Sequence, residues 1–173
     1  MTIEVICGPM FSGKTEELMR RAHRHIIAGR GVHAIKHVKD CDRYEVNHIA
    51  SHNGKVLPCV VSDDLMGVED TDRPVIVVDE IQFFPDNTWA KLSFWSQAGK
   101  RVIVSGLDMN YMGVPFAPTV WCLGVASSVT KLRAVCNVCG EDAFFSHLLG
   151  TVEEVGGKDK YEARCHEHFW SEK

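Results

Sequence analysis

The chain holds an uninterrupted run, Gly8-Pro9-Met10-Phe11-Ser12-Gly13-Lys14-Thr15, that satisfies G-x-x-x-x-G-K-[ST] at every fixed position. Glycines at these places let backbone N–H groups turn inward around phosphate oxygens. A lysine at the sixth step reaches β- and γ-phosphates, and a following hydroxyl ligates Mg²⁺. Such a loop needs an anionic partner for the metal. Asp79 closes the apolar run Val75-Ile76-Val77-Val78, the place where a carboxylate holds Mg²⁺ directly or through water. Glu80 follows at once and has the chemistry of a general base, acting on water in a hydrolase or on an alcohol in a kinase. A second constellation lies near the C-terminus. Cys136-x-x-Cys139 and Cys165-x-x-His168 are two short ligand pairs of the kind that close a tetrahedral Zn²⁺ site. Four protein ligands leave no open position, so such a zinc is structural. His166 is a rival ligand, but the two-residue gap to His168 is the better geometry.

These residues need elements to hold them. Residues 2–7 are short, apolar and β-branched, and read as a buried strand. A helix follows the glycine loop, with Leu18, Ala22 and Ile26 recurring every four residues and Gly29 and Gly31 as stops. Residues 32–38, 75–79 and 101–108 read as further strands. A strand over 56–61 takes an edge position because of Pro58. A helix with Pro85 and Asp86 near its start presents Trp89, Leu92 and Trp95, with both tryptophans in the core. Residues 39–55 read as a loop, and 129–135 as a final strand. Strand and helix alternation of this kind builds a parallel sheet with crossover helices. The 25 residues between the two Cys/His pairs suggest two short strands joined by a long loop. The expected architecture is therefore an α/β P-loop NTPase-like sheet over residues 1–131 and a small zinc-binding lid domain over residues 132–173. His23, His25, His33 and His37 are expected at the surface.

Composition narrows the function. The chain has 173 residues, 45% of them hydrophobic and 24% charged, enough for a packed core and too apolar for disorder. The net charge of −4 argues against a surface that grips nucleic acid through many phosphates. No apolar run reaches the roughly 18 residues that would span a bilayer, and the N-terminus lacks a signal-peptide pattern, so no membrane partner and a cytoplasmic location are expected. Seven cysteines, odd in number and scattered, do not form a secreted disulfide framework. Cys7, Cys41, Cys59 and Cys122 read as small hydrophobes.

Taken together, GPMFSGKTEELMRR, DRYEVNHIASHNG, VVDEIQFF, GLDMNYMGVPF, the Cys136/Cys139 pair, GGKDKYEARC and the terminal Cys-x-x-His occur in the order found in one family. The chain resembles the zinc-containing type II thymidine kinases over essentially its whole length. The resemblance implies transfer of the γ-phosphoryl of ATP to the 5′-hydroxyl of thymidine or deoxyuridine. It implies Glu80 as general base, Lys14 and Arg43 as charges on the transferring phosphoryl, and residues 8–15 with Asp79 as the donor site. Met10, Phe83, Leu107, Tyr111 and Phe116 match positions lining the nucleoside site. Ser146 falls near the base, where many relatives carry threonine. Tyr161, with backbone groups around Val152, Val155, Gly156 and Gly157, matches the loop that closes over thymine. A homotetramer and feedback inhibition by thymidine triphosphate are likewise implied. Tyr111 stands where phenylalanine is usual, and Asn110 and Met112 replace neighbours that are more commonly polar or charged. The rival reading from the residues alone is a zinc-ribbon P-loop ATPase acting on nucleic acid.

Overall fold

The computed structural model describes residues 2–40, 47–50, 56–150 and 160–171. The calls on Cys41, Arg43, Val152, Val155, Gly156 and Gly157 lie outside the described residues. Strand β1 (Thr2–Cys7) runs into the glycine loop and helix α1 (Lys14–Ile27), followed by β2 (Val32–His37). A short antiparallel pair, β3 (His48–Ala50) and β4 (Val56–Pro58), precedes β5 (Val60–Ser62). Then come β6 (Val75–Asp79), α2 (Thr88–Gln97), β7 (Arg101–Gly106), α3 (Ala117–Val125) and β8 (Ser128–Lys131). Six strands form one parallel sheet in the order β5-β2-β6-β7-β1-β8.

The period-2 pattern of these strands explains the layering. Ile3, Val5, Ile76, Val78, Val102 and Val104 face one side and meet Leu92 and Trp95 of α2 and Cys122 of α3. Their neighbours Ile6, Val75, Val77 and Ile103 face the other side and meet Leu18, Met19 and Ala22 of α1. Every residue of β6 is buried, as expected of a central parallel strand covered on both faces. Burial pushes the Cys122 thiol up to about 12 and raises that of Cys7, so both act as small hydrophobes, while Cys59 is half-buried.

The chain after β8 is built differently. Strands β9 (Ala134–Val135) and β10 (Asp142–Ala143) make one small antiparallel pair, and β11 (Phe145–Leu148) and β12 (Tyr161–Arg164) make another. Helix α4 (His166–Trp170) closes the chain. Among the described residues no helix is long and apolar enough to cross a membrane.

Several local expectations are corrected. The strand expected over 129–135 is split, because Leu132 leaves the main sheet and β9 pairs elsewhere. The strand expected over 56–61 is likewise two: Pro58 pairs with His48, and β5 alone forms the sheet edge. Helix α2 starts at Thr88, since Ile81–Phe83 form a 3₁₀ turn and Pro85 lies before the helix. Trp95 is fully buried but Trp89 is 39% exposed. Steps of three fall short of the helical repeat of about 3.6, so Trp89 lies well round the helix from Trp95. Ile26 is exposed for the converse reason, while Met19 takes a core place. His37 is buried, edge-on to Phe84 with centroids 4.8 Å apart.

Candidate active site and metal centre

The glycine loop lies at the C-terminal end of the parallel sheet, where ligands of such sheets bind. Gly8 has φ +145°, and a Cβ there would overlap the Leu132 carbonyl, so only glycine lets the loop start so close to the chain leaving β8. Phe11 also adopts a left-handed backbone, φ 65°, in a loop whose ends are fixed by β1 and α1. Ser12 Oγ and Lys14 Nζ both donate to the Pro9 carbonyl, at 2.8 and 2.7 Å, which folds the loop on itself. Burial lowers the Lys14 pKa, opposed by the charges of Glu80, Asp79 and Asp108.

Thr15 Oγ1 donates to Asp79 Oδ2 at 3.1 Å, joining the first turn of α1 to the end of β6. The other carboxylate oxygen of Asp79 accepts from Ser105 Oγ on β7 and from the Glu80 N–H at 3.0 Å. Burial, reinforced by the neighbouring Glu80 charge, pushes Asp79 up to about 7. Two adjacent carboxylates, one of them buried beside a hydroxyl, form a donor set suited to a hard divalent cation. Glu80 takes a left-handed backbone, φ 54° and ψ 46°, at the entrance to the turn carrying Phe83.

The nucleoside-site candidates gather around this end of the sheet. Phe83 is half-buried between His37, whose ring centroid is 5.7 Å away, and Lys39 Nζ, 5.8 Å from the ring centre. The Leu107 N–H donates to Gln82 Oε1 at 2.9 Å. Tyr111 lies within, and Phe116 directly after, a turn closed by a bridge between Met109 and Pro115. Gly113 in this turn rests on α4, where a Cβ would come 3.3 Å from Phe169. Ser146 on β11 is buried, and its Oγ accepts from the Met10 N–H at 2.9 Å, so the C-terminal region touches the glycine loop directly. Phe11 adds an apolar contact to the same region. Tyr161 is buried at the start of β12 opposite Leu148.

The second constellation also converges. The ligand atoms of Cys136, Cys139, Cys165 and His168 all lie within 4.8 Å of one another. Cys139 Sγ is 3.8 Å from Cys165 Sγ, and His168 Nδ1 is 3.1 Å from Cys165 Sγ and 3.9 Å from Cys136 Sγ. A tetrahedron with zinc–sulfur bonds of about 2.3 Å places sulfurs about 3.8 Å apart, which this spacing fits. Burial raises the Cys136 thiol, but N–H groups of Cys165, Cys139 and Val138 outweigh it and hold the group at about 6. The four residues can thus hold a metal ion. His166 is exposed and edge-on to Phe145, outside this group.

Three contributors have no role in the motifs read from sequence. Ser105 is a lone hydroxyl in an apolar strand, and that polarity was the available signal. Gln82 lies inside the quoted VVDEIQFF run, but nothing in its type alone points to Glu80. The Lys131–Asp108 ion pair, 2.8 Å, joins the ends of β8 and β7, a juxtaposition only the sheet order reveals.

A glycine loop between a first strand and helix, facing a strand-end carboxylate across a parallel sheet, defines a P-loop nucleotide-binding fold. A family model for thymidine kinase matches residues 1–169 of the 173. The chain belongs to the thymidine kinase family, and the protein is a thymidine kinase enzyme.

Proposed function

We propose that the protein transfers the γ-phosphoryl of ATP to the 5′-hydroxyl of thymidine, with deoxyuridine as a second acceptor, in cytoplasmic nucleoside salvage. The observation that carries this reading is the junction of α1 and β6. There Lys14, the Thr15–Asp79 hydrogen bond and Glu80 lie beside the Phe83 turn. Residues Gly8, Pro9, Met10, Phe11, Ser12 and Gly13 wrap the donor phosphates. Pro9 has no N–H and that of Met10 is held by Ser146, so the other backbone N–H groups of the loop face the phosphates and Lys14 offsets their charge. Thr15 and Asp79 would hold Mg²⁺, which when bound neutralises charge on the phosphates. Glu80 accepts the proton of the 5′-hydroxyl, and Arg43 steadies the transferring group.

Met10, Leu107 and the aromatic faces of Phe83, Tyr111, Phe116 and Tyr161 receive the nucleoside, with Ser146 near the base. Residues 132–173 act as a lid domain around a structural zinc held by Cys136, Cys139, Cys165 and His168. Its loop, including Val152, Val155, Gly156 and Gly157, covers the base and excludes water, which competes with the alcohol as nucleophile. A homotetramer and inhibition by thymidine triphosphate belong to the same reading.

The test is ATP consumption with Mg²⁺ and no acceptor, thymidine, deoxycytidine or single-stranded DNA, with the product weighed by mass. Thymidine-dependent formation of thymidine monophosphate is expected. Stimulation by DNA without any nucleoside response overturns the reading in favour of an ATPase acting on nucleic acid.

A further inference from the structure

Gln82 is only 5% exposed, in the turn directly after Glu80. A buried primary amide must satisfy both of its ends. Oε1 accepts from the Leu107 N–H, and a backbone N–H can only donate, so the orientation of the amide is determined. Nε2 is therefore left facing Glu80 and donates to its Oε2. Space for this arrangement comes from Gly106, where a Cβ would overlap Gln82 Oε1 and approach Ile81 Cγ2 to 2.7 Å. Glu80 is also anchored through its backbone, whose N–H donates to Asp79 Oδ1 at 3.0 Å. The glutamate is thus held at both ends.

We propose that Gln82 is a positioning residue that ties the Glu80 carboxylate to the backbone at the end of β7. This rests on the reading of Glu80 as the general base. A glutamate side chain has several rotatable bonds, and ordering it before the substrate arrives removes that entropic cost from the chemical step. Because the same amide holds Leu107, base and nucleoside wall share one register. The amide does not touch the reacting atoms and acts only through Glu80.

The experiment is a cycle of Gln82→Glu, Glu80→Gln and the double variant, with Gln82→Met as a second, uncharged probe. Gln82→Glu keeps the volume and an acceptor for Leu107, but loses the donor to Glu80. Its kcat is expected to fall roughly 10- to 100-fold, the usual effect of a misplaced catalytic group, with thymidine KM changed less than about threefold. In the Glu80→Gln background the same change is expected to cost less than about twofold in kcat, because the base it positions is already gone. Gln82→Met is expected to lower kcat in the same direction. Equal kcat losses in both backgrounds, or a loss confined to KM, overturn the proposal. Wild-type kcat in both Gln82 variants, with Glu80→Gln impaired, overturns it while leaving Glu80 as the base. Wild-type kcat in Glu80→Gln removes the base reading and this proposal together.

Discussion

The two ends of the molecule are held together by different physics. The sheet buries large side chains on both faces: Trp95, Leu92, Ile76 and Ile81 on one, Leu18, Met19 and Ile6 on the other. The buried cluster of the Cys/His region is Ala134, Cys136, Ala143 and Ala163. Methyl groups of this size contribute about 0.8 kcal/mol each, against an ordering cost of about 1–2 kcal/mol per residue. One aromatic layer helps, with Phe145 stacked on Phe169 at 4.2 Å between centroids. A metal ion held by the converged Cys/His set would supply the cross-links that such a small apolar cluster cannot. The glycine loop is therefore carried by a sheet with a large core of its own, and the Cys/His region by a small cluster that a metal on its four ligands would cross-link.

The largest expected effect breaks that comparison directly. Structural zinc contributes an apparent 10–16 kcal/mol or so in small zinc domains, far more than the cluster around Ala163 can. Chelation, or Cys136→Ser, is expected to melt residues 132–173 and abolish thymidine phosphorylation, while the helical signal of α1–α3 persists. Circular dichroism with zinc analysis checks this. Full zinc and normal turnover in Cys136→Ser contradict it.

The second effect belongs to the sheet. Asp79 has a folded pKa of about 7 against an ordinary 3.8, so between these values the folded state keeps a proton that the unfolded chain has lost. Stability of the zinc-loaded, Mg²⁺-free and nucleotide-free enzyme should therefore fall as pH rises from about 4 to 7, by an order of 2–4 kcal/mol. Melting temperatures at pH 5 and pH 8, compared with Asp79→Asn, measure it. A wild-type curve that rises over this range, or a variant with the same slope, counts against the buried charge as its source.

The contrast also explains what could be read in advance. The sheet was legible because local signals agree: apolar runs at 2–7, 75–79 and 101–108 mark strands, the last of which ends at Gly106, and the glycine loop fixes where the first helix begins. The convergence of the four residues that could hold a metal was legible because zinc demands short pairs. The burial of His37, the exposure of Trp89 and the break at Leu132 were not, since each depends on what packs alongside rather than on its own segment. Gln82 was hidden for the same reason, because its partners lie on either side of a turn and at the end of another strand.

A third prediction separates nucleoside from donor. Tyr161 is buried on β12 in the Cys/His region, whereas the glycine loop belongs to the sheet. Tyr161→Ala is expected to weaken thymidine binding roughly 10- to 100-fold, a loss of about 1.4–2.8 kcal/mol, and ATP binding less than about threefold. Calorimetric titration of each ligand decides it. Equal losses would reduce Tyr161 to a packing residue shared by both sites.

The smallest effect lies on the seam. The Met10 N–H is satisfied by Ser146 Oγ, a hydrogen bond between the phosphate loop and β11. Ser146→Ala removes the acceptor and leaves a partly buried donor, at a cost of about 0.5–1.5 kcal/mol. That corresponds to a drop of roughly 1–6 °C in melting temperature for a chain of this size. Ser146→Thr keeps the hydroxyl and should retain most of the stability. The decisive comparison is with chelated protein. If β11 is ordered only when the metal holds the region together, Ser146→Ala should lower the melting temperature of the zinc-loaded enzyme and leave the chelated one unchanged. An equal drop in both would mean that β11 stays docked on the phosphate loop without its metal, and the division between the two regions would lie beyond Ser146.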